Sequence, residues 1–166
     1  GAPDSCSVEE DVIRCKGHPA GYFATRETYE NYLLRLDVRF PGEVGNGGYL
    51  LHIQGEHRLW PQCVEVQGHY MALGRVFATA AGGAHGPRAD NGQARQRAIR
   101  PAHEWNSLDI HSQRGMIRTF LNGVMIVSFG PLPFTSGPIG IQLEGADIEF
   151  RNLRIRPDPP AAARAH

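Results

Sequence analysis

The sequence lacks an excess of charge of either sign, because 17 Lys and Arg residues are balanced by 17 Asp and Glu residues. Proteins that bind nucleic acid or anionic membranes usually carry a basic excess. We therefore expect neither partner. The chain also lacks an apolar run close to the roughly 18 residues that a membrane helix needs. No signal peptide is visible, although an export signal could have been removed ahead of Gly1.

Cysteine is scarce, and its spacing excludes the common zinc motifs. Cys6 and Cys15 flank a predicted hairpin turn at residues 9–11, so a disulfide bond and two buried free thiols both remain open. Cys63 is predicted to be an ordinary strand residue. The chain has eight histidines, yet no pair shows zinc-ligand spacing. We predict no metal and no cofactor.

The sequence is rich in short runs in which apolar and polar residues alternate, bounded by Gly, Pro, Asn and Asp. Alternation with period two is typical of half-buried strands. Counting the runs gives roughly ten to twelve strands, which suits two packed antiparallel sheets better than one open sheet. We predict an all-β, two-sheet jelly-roll sandwich as a single domain over residues 1–156. A Pro/Ala-rich tail or linker follows at 157–166, with a composition that suits a connection to another domain in a longer protein.

Local signals place several elements in detail. Tyr32 to Phe40 is the clearest strand, and Asn122-Gly123 between two apolar runs is the strongest hairpin signal. A slip in the alternation between Phe150 and Leu153 predicts a bulge. Between residues 68 and 98 the pattern fades, and we predict no regular element there. A loop of this length could cover a site or be a mobile insertion.

The run from Gln62 to Gln67 supplies the first candidate site. Successive strand side chains point to opposite faces, so if Val64 and Val66 are buried, Glu65 and Gln67 share an accessible face. His52, on the preceding run, can lie on that same face. A carboxylate, an amide and an imidazole on a rigid sheet suit a sugar-sized polar ligand. The alternative is a solvated outer face of an antiparallel sheet.

Motifs spread over most of the chain resemble the 3-keto-disaccharide hydrolase domain family, long catalogued as a domain of unknown function (1080), which has the concanavalin A-like lectin/glucanase fold. The matching segments, in chain order, are Gly21-Tyr22 with Thr25 and Tyr29-Glu30-Asn31-Tyr32; Arg39-Phe40 with Gly45-Asn46-Gly47-Gly48; Glu65-Val66-Gln67; Glu104-Trp105-Asn106; Leu121-Asn122-Gly123; Gly137-Pro138-Ile139-Gly140-Ile141-Gln142; and Glu149-Phe150-Arg151-Asn152-Leu153-Arg154-Ile155. The family usually has Asn-Ser-Gly where this chain has Asn46-Gly47-Gly48. The segment after Gln67 is also shorter and richer in Ala and Gly than is typical.

The resemblance implies a carbohydrate-active protein, periplasmic or secreted, that acts on sugars oxidised at C3. A ketone at C3 acidifies the proton on C2, so one base can start an elimination that releases the group at C1, and water adds afterwards. We predict Glu65 as the base and His52 as an acid or base. Arg39 is predicted to stabilise the enolate or bind hydroxyls. The remaining candidates for sugar binding are Gln67, Gln142, Glu144 and Trp60.

Each candidate also has a purely structural interpretation. Glu65 could pair with Arg39 across strands, His52 could be a packed strand histidine, and Trp60 could cover the core. The sandwich also serves lectins, so a non-catalytic carbohydrate-binding module of a larger protein is the alternative function. An enzyme predicts a pocket in which Glu65 and His52 converge, whereas a binding module predicts a shallow groove lined by aromatic residues such as Trp60 and Tyr70.

Overall fold

The computed structural model describes residues 5–56, 58–79 and 88–158, and it confirms an all-β sandwich of two antiparallel sheets. Thirteen strands are present in these ranges, slightly more than expected. Their bounds are β1 Cys6–Glu9, β2 Val12–Cys15, β3 Gly21–Ala24, β4 Tyr32–Arg39, β5 Asn46–Gln54, β6 Gln62–Gln67, β7 Val76–Thr79, β8 Arg88–Asp90, β9 Asn106–Gln113, β10 Met116–Leu121, β11 Val124–Phe129, β12 Gly140–Glu144 and β13 Ile148–Pro157.

The two sheets differ in size. The larger sheet has the strand order β1-β2-β13-β4-β9-β10-β11-β8, and the smaller sheet has the order β3-β12-β5-β6-β7. Alternate residues of facing strands fill the space between them, as packed sheets require. The largest side chains of this core are fully buried: Tyr32, Tyr49, Phe40, Phe129, Phe150, Leu34, Leu36, Leu51, Leu73, Leu108, Ile110 and Ile117.

Two predicted hairpins are confirmed. Glu10 and Asp11, with φ of 48° and 63°, form the two-residue turn between β1 and β2. This turn places Cys6 opposite Cys15, and a disulfide bond joins them. Asn122 and Gly123, with φ of 48° and 83°, connect β10 to β11. Positive φ at both central residues matches the right-handed twist of the flanking strands.

The predicted bulge in the last strand is also confirmed. The register of β13 against β4 shifts between Arg151 and Arg154, and Asn152 has a φ of 53°. The strand continues to Pro157, and the amide of Asp158 donates to the carbonyl oxygen of Asn31. Residues 159–166, which hold most of the predicted tail, lie outside the described residues.

The expectation that residues 68–98 form no regular element is wrong for four parts of that segment. Strand β7 pairs with β6, strand β8 pairs with β11, and a short helix, α1, runs over Gly92–Ala98. A 3₁₀ turn covers Tyr70–Ala72. The Asn91 side chain accepts a hydrogen bond from the Ala94 amide and so caps the helix. The strands escaped detection because each has only three or four residues. Residues 80–87, the centre of the predicted loop or lid, lie outside the described part.

A second bulge, which the sequence analysis missed, lies in β5. The register between β5 and β6 shifts between Leu51 and Gln54, and His52 has a φ of 55°. One extra residue in a strand lets two successive side chains point to the same face. Leu51 belongs to the main core, and the His52 side chain also points inward, whereas Ile53 packs in a separate small cluster with Leu50 and Cys63.

Candidate functional site

The outer face of the smaller sheet brings four of the predicted residues onto one surface. Leu50 lies opposite Glu65, and Gly48 lies between Gln142 and Gln67 in the ladder. Directly opposed residues of antiparallel strands share a face. Glu144 belongs to the same surface, because it stands two residues beyond Gln142 on β12. The site is therefore built by the three central strands, β12, β5 and β6.

Gly48 forms the floor between the two central side chains. A Cβ atom on Gly48 would lie 2.8 Å from Glu65 Oε1 and 2.9 Å from Gln142 Oε1. Real Cβ atoms do not approach oxygen atoms so closely, so only glycine lets both groups converge here. The space above Gly48, into which the Glu65 carboxyl group and the Gln142 amide group both reach, is the cleft of this site. The sequence analysis named Gly48 only within the motif Gly45-Asn46-Gly47-Gly48 and missed its part in the site.

Glu65 is substantially buried, and its pKa is raised, first by desolvation and second by the charge of Glu144. Both causes disfavour the carboxylate form. A carboxyl group with a raised pKa is closer to the range in which a general base works near neutral pH. The position on a central strand, between the buried Val64 and Val66, fixes its backbone.

Gln142 carries an acceptor without a partner. Its side chain is 4% exposed, and its Oε1 atom has no hydrogen-bond partner among the described residues. A buried carbonyl oxygen without a partner costs free energy that a bound donor recovers. Gln142 Oε1 is therefore an unused acceptor that lies close to the Glu65 carboxyl group above Gly48.

The remaining polar groups of the face are held in place by local hydrogen bonds. Asn46 Nδ2 donates to Glu144 Oε2 at 2.8 Å, which fixes the second carboxylate. Gln67 Oε1 accepts from the His69 amide at 2.8 Å, so the side-chain amide nitrogen of Gln67 remains to donate to a ligand. These contacts orient the cluster before any ligand arrives.

Aromatic side chains stand at both edges of this face, and the sequence analysis missed their part in it. Tyr22 on β3 lies opposite Gln142, and Phe77 on β7 lies opposite Glu65. The Arg75 guanidinium lies 5.3 Å from the centre of the Phe77 ring. The alternation of Val76, Phe77 and Ala78 was the available signal, but the strand is only four residues long.

The prediction that His52 shares this face with Glu65 is wrong. The His52 side chain is completely buried, and its Nε2 lies 3.3 Å from both the Tyr32 hydroxyl and the Ser112 hydroxyl of the larger sheet. Its Nδ1 lies 2.9 Å from the carbonyl oxygen of Phe134. The β5 bulge is the physical reason, because it turns the side chain inward. Burial lowers the pKa of His52, so the ring is a neutral structural group of the core.

Arg39 does not reach this site either. It lies on the outer face of the larger sheet, where its Nε donates to Glu149 Oε2 at 2.6 Å and its guanidinium lies 4.4 Å from the centre of the Trp105 ring. The suggested pair between Glu65 and Arg39 is therefore also wrong. Burial raises the pKa of Glu149, but hydrogen bonds from Arg39 and Arg14 outweigh it, and the net shift is downward. The strand alternation placed Arg39 correctly on an outer face, but of the other sheet.

Trp60 lies in the loop between β5 and β6 and is 56% exposed, next to Leu59 at 50%. It is therefore a surface residue and does not cover the core. Tyr70, the other aromatic residue expected of a groove, donates its hydroxyl to the carbonyl oxygen of Arg100. Within the described residues, no group of three His, Cys, Asp or Glu side chains is arranged as metal ligands. None of the described helices is long and apolar enough to cross a membrane.

The model of the 3-keto-α-glucoside-1,2-lyase-like domain matches residues 1–156. The chain belongs to this family. It is accordingly a carbohydrate-related domain, and the resemblance seen in its motifs is confirmed. No protein with a curated function matches the chain.

Solved structures show the same fold. A proposed glycosyl hydrolase from Parabacteroides distasonis ATCC 8503 superposes with a TM-score of 0.71 at 22% identity, covering 95% of this chain and 92% of the other. A second from the same organism gives 0.70 at 20%, covering 93% and 84%. The carbohydrate-binding module CBM66 from Bacillus subtilis gives 0.69 at 10%, covering 90% and 89%. At these identities the likeness concerns the fold alone.

Proposed function

We propose that this domain cleaves 3-keto-glycosides by elimination, with Glu65 as the base. The observation that carries the proposal is the convergence of Glu65 and the unpartnered Gln142 carbonyl on the cleft at Gly48. The family match supports the sugar class. Elimination from a 3-keto sugar needs one well-placed base, whereas an ordinary glycosidase needs two carboxylates that flank the glycosidic bond.

The proposed reaction starts at C2 of the sugar. Glu65 accepts the C2 proton, the electron pair forms the enolate with the C3 ketone, and the bond between C1 and the glycosidic oxygen breaks. The products are a 2-hydroxy enone sugar and the released alcohol, which takes up a proton. Glu65 is protonated after the first step and can return that proton to the leaving oxygen. Addition of water across C1 and C2 then gives the 3-keto sugar, so that the overall reaction is hydrolysis.

The other members of the face bind and orient the sugar. Gln142 Oε1 accepts a hydrogen bond from a sugar hydroxyl, and the Gln67 amide nitrogen donates one. Glu144, fixed by Asn46, accepts from a second hydroxyl and also keeps the pKa of Glu65 high. The role that we predicted for His52 is not carried into this mechanism, because its ring lies in the core.

The decisive test is the release of a chromogenic aglycone from a 3-keto-glucoside. We expect release from the keto sugar and none from the unoxidised parent, and we expect Glu65→Gln to lower the rate by at least about a hundredfold, as loss of a general base does. Release from the parent sugar would instead indicate an ordinary glycosidase. Equal rates for Glu65→Gln and the unmodified protein would contradict the assignment of the base.

A second function rests on one specific observation, the exposed Trp60 in the loop between β5 and β6, together with the fold likeness to a carbohydrate-binding module. In this case the domain binds sugar without cleaving it. Absence of release from both sugars, with saturable binding in calorimetry that Gln142→Ala weakens, would support this function over the enzyme.

We also propose that the protein works in an oxidising compartment, such as the periplasm or the extracellular space. The disulfide bond between Cys6 and Cys15 supports this location, because such bonds are rare in reducing compartments. Thiol labelling of protein taken directly from cells would test it: the two cysteines should resist labelling until a reductant is added.

A further inference from the structure

A cavity of about 730 Å³ adjoins the candidate site at the edge strand β3. Strand β3 forms one wall, and the loop between β5 and β6 forms the other. The lining residues that matter most are Tyr22, Ala24, Arg26, Arg58 and Leu59. Because Tyr22 lies opposite Gln142 in the ladder, this side chain stands at the boundary between the cavity and the cleft of Glu65.

The cavity combines apolar walls with positive charge. Ala24, Leu59 and the Tyr22 ring offer carbon surface, and Leu59 remains half exposed although it is a large apolar residue. Arg26 and Arg58 are exposed, and neither makes an ion pair with a carboxylate among the described residues. Glu27 and Glu56 are close to Arg26 and Arg58 in sequence, but within the described residues they form no ion pair with them.

The two arginines of the cavity differ in this respect from four arginines of the larger sheet. On that sheet, Arg14, Arg35, Arg39 and Arg151 each pair with a carboxylate. The guanidinium groups of Arg26 and Arg58 lie beside an apolar cavity and have no carboxylate partner among the described residues. Guanidinium binds carboxylate and phosphate groups through paired hydrogen bonds, so this arrangement suits a ligand that carries a negative charge.

We propose that this cavity binds the leaving group of the glycoside and prefers one that joins a flat apolar ring to an anionic substituent. This inference rests on the proposed function, since it assigns the sugar to the Glu65 cleft and the released alcohol to the neighbouring cavity. The ring packs against Tyr22 and Leu59, and the anionic group meets Arg26 and Arg58. The substrate class is therefore a 3-keto-glycoside of an acidic phenol or a similar aromatic acid.

A binding experiment tests the cavity without any need for catalysis. The probes are 4-hydroxybenzoate and its neutral isostere 4-hydroxybenzamide, titrated into the protein and followed by the methyl NMR signals of leucine. We expect both probes to shift the Leu59 signals, and the acid should reach half of its maximal shift at a roughly tenfold lower concentration than the amide. The signals of Leu33, which lies on the larger sheet, should not move.

Variants assign the preference to the two arginines. Arg26→Gln and Arg58→Gln together should abolish the difference between acid and amide, whereas Arg118→Gln, an exposed arginine of the larger sheet, should leave it unchanged. Because the attraction is electrostatic, raising the salt concentration should also reduce it. Equal affinity for acid and amide in the unmodified protein, or no shift of Leu59 with either probe, would overturn the proposal.

A kinetic experiment separates this proposal from the proposed function. The 3-keto-glucosides of the same two phenols are compared by kcat/KM, and we expect the acid to be preferred by roughly tenfold in the unmodified protein and not in the double arginine variant. Cleavage of both glucosides at equal rates would contradict the assignment of the cavity to the leaving group, but it would support the proposed enzymatic function. If neither glucoside is cleaved, the proposed function fails, and the assignment of the cavity to a leaving group fails with it. Selective binding of the free acid would then still show that the cavity binds anions.

Discussion

At the scale of single residues, the central group of the site is Glu65, whose ionised form is destabilised by the folded structure. Burial and the neighbouring Glu144 raise the pKa of Glu65 above that of an unfolded glutamate. The folded state then binds more protons than the unfolded state between the two pKa values. Stability is therefore fully present below the ordinary glutamate pKa of about 4.3 and falls as the pH rises through the pKa of the folded state.

This linkage predicts that Glu65→Gln stabilises the protein while it removes activity. At pH 7 the gain should be on the order of 1 kcal/mol, as is common when a strained functional group is replaced. At pH 4 the variant and the unmodified protein should have nearly equal free energies of unfolding, because Glu65 is then largely protonated in both the folded and the unfolded state. Urea unfolding at the two pH values measures the difference. A variant that is less stable at pH 7 than the unmodified protein would show that Glu65 has a structural role.

Gly48 gives a second prediction at this scale. Gly48→Ala places a methyl group against the ends of two flexible side chains, so we expect a change in stability within about 1 kcal/mol but at least a tenfold loss of kcat/KM. Gly68→Ala is the matched contrast, because its Cβ would lie 2.8 Å from the backbone of Gly47, which cannot move aside. This variant should lose about 2 kcal/mol of stability. Thermal unfolding measures the stability of both variants, and aglycone release measures their kcat/KM. A fully active Gly48→Ala variant would contradict the role of the cleft in the reaction.

At the scale of elements, the bulge in β5 decides which predicted residues can take part. It brings His52 against the Tyr32 and Ser112 hydroxyls and leaves Glu65 on the opposite face. The backbone of the bulge is close to residue 137, since a Cβ on Gly137 would lie 2.6 Å from the carbonyl carbon of His52. The bulge therefore connects β5 to the segment before β12 as well as to the larger sheet.

We predict that His52→Leu lowers the stability by about 2–4 kcal/mol, because buried hydroxyl and carbonyl groups lose their partner. The protein that remains folded should keep its activity at neutral pH, which a catalytic histidine would not allow. In the unmodified protein, the lowered pKa of His52 means that stability is lost as the pH falls below about 6.5. That part of the acid dependence should be absent from the variant. Denaturant unfolding between pH 5 and 8, with activity assays, provides the measurement.

At the scale of the whole molecule, the disulfide bond and the site lie on different sheets. Cys6 and Cys15 join the two strands at the edge of the larger sheet, whereas the site lies on β12, β5 and β6 of the smaller sheet. We expect the double variant Cys6→Ser/Cys15→Ser to lose about 2–3 kcal/mol of stability, as closure of a short loop provides. Ligand affinity at 25 °C should not change. A large loss of affinity in a variant that is still folded would show coupling between the sheets.

The sequence alone determined the fold class and the content of one outer face. Alternation with period two is a local property, so the strands of Tyr32 to Arg39, Gln62 to Gln67 and Met116 to Leu121 could be identified from neighbouring residues. The Asn122-Gly123 turn was visible from the sequence because few residue pairs accept positive φ at both positions as readily as Asn-Gly. The Glu10-Asp11 turn was indicated by charged residues between the apolar Val8 and Val12. The shared face of Glu65 and Gln67 followed directly from the alternation.

Only the tertiary structure decided which faces belong together. Arg39 and Glu65 both point outward, but strand order assigns them to different sheets, and strand order depends on contacts between distant segments. The bulge at His52 depends on packing against residues 134–138 and the larger sheet, so regular alternation gave the wrong face. The cleft at Gly48 likewise exists because β12 and β6 flank β5 in space. Local chemistry selected the residue types, and long-range pairing determined which of them form the site.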